Sequence, residues 1–285
     1  MQSTEARIMS FEGASAHRAG SVWPIVAAFP LALLVAIASL GGMLVPSLYA
    51  RESVNWAAQA LGQDWVDLLL AVPWLCVSAV LAMKRSPAGL LMLASGLLYT
   101  SYTFVIYALG MHFNAMFLVY VAVLGISFFA LAEVALMLID VAARAPHVES
   151  RATKMAGYFL IAIAVLFGAA WLSDIVPAIV VGTTPKSIVE AGTPNNPVHV
   201  IDLSVILPLH LLAGLALVRR RSFGAMLGAV VLGFGVLMAL SIAGMMVVMH
   251  LRGVEANLFV AAGMSFISLL SAVVLVRLLT SIRHI

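Results

Sequence analysis

The sequence predicts an all-α, polytopic membrane protein with eight transmembrane helices in two parallel four-helix repeats. Three observations carry that reading. Apolar residues make up 64% of the 285-residue chain and charged residues only 9%, against about 45–50% and about 25% in soluble domains. Those apolar residues fall into eight continuous runs near the roughly 20 residues that a helix needs to cross a bilayer. Rare polar residues then recur in the same order in the two halves of the chain.

The first run, 23–48, follows a polar tail, 1–21, that carries Arg7 and Arg18. It is longer than a signal-peptide core of about 7–15 residues, and no small-x-small pattern follows at Leu48-Tyr49-Ala50. It is therefore expected to be a span. Residues 51–63 set Arg51, Glu52, Asn55 and Gln59 around Trp56 and Leu61 and read as a short interfacial helix. Runs 65–83 and 88–110 flank the basic pair Lys84-Arg85, and run 114–140 opens at Asn114. Run 155–181 follows Arg144, Arg151 and Lys154. Residues 182–199, rich in Pro, Gly, Thr and Asn, read as a cap loop before run 200–218. Arg219, Arg220 and Arg221 separate it from 223–250, and 256–279 completes the set. Continuous rather than alternating apolarity excludes an outer-membrane barrel.

Lys and Arg orient the spans. With the N-terminus inside, twelve basic residues fall on inner segments, and only Arg51, Lys186 and Arg252 fall outside. Both termini are therefore expected to be cytosolic. No Asn-x-Ser/Thr sequon occurs, which is compatible with a bacterial plasma (inner) membrane.

The repeat rests on rare residues. At an offset of 135, Asp67 matches Asp202, Pro73 matches Pro208, and Lys84-Arg85 matches Arg219-Arg220. Arg221 then reads as one inserted residue before Ser222, which pairs with Ser86. Met111-His112 matches Met249-His250, Asn114 matches Asn257, and Val45-Pro46 matches Val176-Pro177. The halves are expected at 22–145 and 146–285. Each holds an even number of spans, so the repeat is parallel, about an axis along the membrane normal.

Composition excludes a soluble enzyme and a nucleic-acid partner, since the net charge is only +3. Cys76 is the single cysteine, which excludes disulfides, a redox pair and a cysteine-based zinc site. No lysine lies within a span to form a Schiff base, and the sequence names no cofactor. Candidate ligand-binding residues are Asp67, Asp202, His112 and His250 at the outer ends of spans. His112, His199, Asp202 and His250 are a possible metal set. The plainer reading is that carboxylates favour helix N-termini and histidines C-termini, so dipole complementarity accounts for the pattern without a ligand.

His210 is expected about 15 Å into its span, pointing into the bundle toward Tyr99 or Tyr102. There it either binds a polar group or glues two helices. Function then falls into three classes. The first is a binder or transporter of a small or lipid-like molecule with a polar, outward-facing cavity. The second is an intramembrane enzyme using His210 or the outer His and Asp groups. The third is a non-catalytic assembly or sensory partner. The bilayer itself is the partner common to all three.

Overall fold

A computed structural model describes residues 22–144 and 150–282. The tail with Arg7 and Arg18, the division expected at 145/146, and Arg283 lie outside them. Every regular element among the described residues is helical. Helix α1 covers Trp23–Leu44, and α2, Val54–Val66, runs through a π-helical turn at Asp67–Ala71 into α3, Val72–Met83. Then come α4 (Pro87–Gly110), α5 (Phe117–Arg144), α6 (Arg151–Val181) and the short α7 (Lys186–Ala191). Helix α8, Pro197–Ile201, passes through a second π turn, Asp202–Ile206, into α9, Leu207–Val218. Helices α10 (Gly224–Leu251) and α11 (Leu258–Ile282) complete the chain. Eight of these helical runs are long and apolar enough to cross a membrane.

The second run departs from expectation. It begins at Val54, not 65, so residues 51–63 form no separate interfacial helix. Ser53 starts it: its side chain accepts the Trp56 N–H at 3.1 Å, and nothing after it breaks the helix. Asp67 therefore lies thirteen residues inside a helical run, about 20 Å from its start. The N-terminal dipole reading of Asp67 is overturned. Asp202 does not cap its helix either, because Asn196 accepts the Val198 and His199 N–H groups.

Each aspartate opens a π turn. Pro73 and Pro208 lack an N–H, so the α-helical ladder upstream loses a donor and changes register. The N–H of Val72 reaches back five residues to the Asp67 carbonyl, and Leu207 does the same to Asp202. Both runs also end alike. Arg85 and Arg220 take positive φ, 59° and 58°. The next N–H groups, of Ser86 and Arg221, close onto Leu81 and Ala216. A Cβ on Gly89 would stand 2.6 Å from the Ala82 backbone, and one on Gly224 would stand 2.8 Å from that of Ala216. Gly89 and Gly224 are also 135 residues apart, and in these two turns Arg221, expected as an inserted residue, takes the place that Ser86 has in the first. Asn114 and Asn257 each accept the N–H two residues on, from Met116 and Phe259. The Val-Pro match fails, since α1 stops at Leu44 whereas α6 continues through Pro177 to Val181.

In the first half, α1 packs against α2–α3 and α5, and α4 closes the ring against α3 and α5. In the second, α6 packs against α9 and α11, and α10 closes the ring against the same two. The halves meet where α10 lies on α2 and α4. Helix α4 is the least apolar of the eight runs yet 78% buried, whereas α6 is 11% buried. Its polar side chains face inward, the reverse of a water-soluble helix. Large apolar side chains face outward instead, among them Leu33, Phe129, Val180 and Phe259.

Backbones touch at α6 and α9. A Cβ on Gly214 would stand 2.7 Å from the Gly157 carbonyl. Gly214→Val is expected to lower stability by about 1–3 kcal/mol through overpacking. Gly125→Ala, with open space around it, should be neutral or up to about 1 kcal/mol stabilising. Unfolding midpoints of both variants in one detergent check this; equal midpoints would contradict the close contact.

Candidate functional site

The two aspartates that open π turns are served by one helix. The Tyr99 hydroxyl on α4 donates to Asp67 at 2.8 Å. Gln63, one turn before Asp67, donates to the same oxygen at 2.8 Å, and its amide also reaches the Tyr99 hydroxyl at 2.6 Å. Ser241 of α10 donates to the Gln63 carbonyl oxygen, which ties this cluster to the second half. Asp67 is 1% exposed. Three residues further along α4, the Tyr102 hydroxyl turns to Asp202. The indole N–H of Trp171, on α6, donates to Asp202 at 2.8 Å. Asp202 is only half-buried.

A second carboxylate, Asp64, sits one residue after Gln63. It accepts the Tyr107 hydroxyl at 2.9 Å and the Tyr49 hydroxyl at 2.8 Å. Burial, then the Asp64 charge, push the Tyr49 phenol above its ordinary value, so it stays a neutral donor. The rings of Phe104, Tyr107 and Tyr120 stack around this group at 5.1–6.1 Å, and the first bundle is filled.

The second bundle is hollow. A cavity of about 350 Å³ runs between α6, α9, α10 and α11 and is closed on one side by α2 and α4. It differs from the polar wall expected, because most of its lining is apolar, including Phe159, Phe167, Phe234, Met238 and Met264. Gln63, Tyr102, Trp171, Asp202 and His210 add polar atoms.

His210 points into the bundle as expected, but its partner is neither Tyr99 nor Tyr102. Its Nδ1 lies 2.8 Å from the Ile206 carbonyl, one turn back on its own helix, and its ring meets Phe234 edge-on at 6.0 Å. Pro208 sits between them and shifts the ladder, and the tyrosines are already committed to the aspartates. A carbonyl only accepts, so Nδ1 carries the proton and Nε2 is the acceptor of the neutral ring.

The outer groups do not converge. His112 is held by Glu52: the backbone N–H donates at 2.8 Å and Nδ1 at 3.0 Å. His250 is exposed in the last turn of α10. His199 is buried against the Trp171 ring, centroids 4.7 Å apart, and neither ring nitrogen has a partner. Among the described residues no three His, Cys, Asp or Glu side chains come together to hold a metal. Sequence reading passed over Gln63, Asp64, Tyr107, Trp171 and Ser241. The available signal was the Gln63, Asp64, Asp67 spacing, which shares a helix face once the helix is started at Ser53.

No family model, curated protein or solved structure matches the chain.

Tyr99→Phe leaves Asp67 short of a donor and is expected to cost about 1–3 kcal/mol. His210→Leu, which removes a bond within one helix only, should cost about 1 kcal/mol or less. Denaturant titration of the two variants should rank them so; the opposite order would contradict the assignment of Tyr99 as the structural donor.

Proposed function

We propose that this is a polytopic membrane protein whose second four-helix half binds a small apolar or amphipathic molecule, with transport of that molecule as the activity built on it. The cavity is the observation that carries the reading. Its volume falls within the roughly 300–1,000 Å³ typical of ligand pockets, and so does its character, an apolar wall with a few convergent polar groups. The outward-facing Leu33, Phe129, Val180 and Phe259 support a bilayer around the bundle. The paired π turns, left-handed arginines and asparagine caps support a parallel 4+4 repeat divided at 145/146. The asymmetry of Lys and Arg supports cytosolic termini and an inner-membrane setting.

Acid–base catalysis fits less well. It needs two groups about one reacting atom. His210 and Asp202 are eight residues apart on one helical run, about 12 Å along it.

Two experiments test the proposal. In nanodiscs, 4-phenylbutanol should raise the melting temperature saturably. Gly235→Leu should abolish that shift, since a Cβ there faces the cavity with only the Ser271 side chain near, at 3.5 Å. A shift that persists unchanged in Gly235→Leu would contradict binding in this cavity. For topology, in a Cys76→Ser chain, Thr184→Cys should label from outside intact cells and Ser222→Cys only after permeabilisation. The reverse pattern would invert the proposed orientation.

A further inference from the structure

We infer that the cavity selects lipophilic cations: an apolar body carrying a protonated amine or a similar positive head, seated against Asp202. The inference rests on the binding role proposed above and names the class of ligand.

Charge in the wall is one-sided. Asp202 is the one ionisable carboxylate lining the cavity among the described residues, and no Lys or Arg lines it. The other polar atom aimed into it from the same helical run is on His210, whose Nδ1–H is spent on the Ile206 carbonyl. The neutral ring therefore offers an acceptor. An anionic head would enter a desolvated space with no cation to meet it. A cationic head would gain a charge-assisted hydrogen bond to the carboxylate.

The aromatic wall favours the same class. The Trp171 indole stands beside Asp202 because its N–H donates to it. Trp56, Phe159, Phe167 and Phe234 line the same space. Ring faces attract a desolvated cation. Met238, Met245, Met246 and Met264 supply soft walls that adapt to differing apolar bodies.

The two halves differ at this point in a telling way. Asp67 is sealed by Gln63 and Tyr99 at 1% exposure, inside a bundle filled with aromatic rings. Its counterpart Asp202 is half-buried at the wall of a cavity. One repeated carboxylate is closed into the fold and the other is left open to a guest.

Three probes share one body and differ in head: 4-phenylbutylamine, 4-phenylbutanol and 4-phenylbutanoate. Their affinities are measured by isothermal titration on the intact protein in zwitterionic nanodiscs at neutral pH, where the amine is charged. The amine should bind at least about tenfold more tightly than the alcohol, and the carboxylate most weakly. Asp202→Asn should bring the amine to within about threefold of the alcohol. Equal affinity for all three probes would overturn cation selection and leave the binding role standing. Tightest binding of the carboxylate would overturn it too. Saturable binding of none would overturn both. The ranking on the unaltered chain decides even where Asp202→Asn does not fold.

Discussion

A carboxylate inside an apolar bundle must be given donors, because water is not there to supply them. This chain opens a π turn at each of two, Asp67 and Asp202, and the fold is arranged around meeting that requirement. Helix α4 does it with Tyr99 and Tyr102, three residues apart, one turned to each aspartate. That explains why the least apolar helical run is also the most enclosed. It also explains why α10 must lie close to α2 and α4. Ser241 completes the Gln63 amide that Asp67 relies on. The approach is kept short by Gly62, where a Cβ would stand 2.6 Å from the Met245 backbone.

The same backbone devices are used twice and filled differently. In each half one helical run turns through a π bulge at its aspartate, follows it with proline, and ends on a left-handed arginine. In the first half Tyr107, Tyr120 and Phe104 occupy the interior, and the Tyr107 and Tyr49 hydroxyls satisfy Asp64. At the position 135 residues after Asp64 the second half has His199, whose ring makes no hydrogen bond, and the space beyond is open. A filled bundle gives rigidity, whereas an open one lined by methionine and aromatic rings can accept a guest. The difference between a filled first half and a hollow second half follows from side-chain volume rather than from backbone geometry.

The eight long apolar helices were legible because continuous apolar runs leave little else for a chain to do. Their ends agree with the helices within a few residues, apart from Val54, where polar Gln59, Gln63 and Asp64 masked a helix that continues. Those residues looked like a surface segment because polarity and exposure go together in water; here they face inward. The aspartates and prolines were found as a pattern, but their meaning was misread. A dipole argument needs a helix terminus, and Ser53 and Asn196 set the termini elsewhere. The inward aim of His210 followed from the cost of a polar ring facing an apolar exterior, yet its partner is a carbonyl of its own helix. Backbone acceptors freed near a proline leave no trace in residue type. The place and the apolar wall of the cavity were invisible in sequence because they reflect a shortage of side-chain volume at facing positions on four helices.

The most direct test of this account is a high-resolution map of the protein purified in nanodiscs with 4-phenylbutylamine present. The account predicts non-protein density between α6, α9, α10 and α11, with its polar end at Asp202 beside Trp171, and none inside the first bundle. A second bundle closed by its own side chains, with Asp202 facing away from any bound molecule, would contradict it.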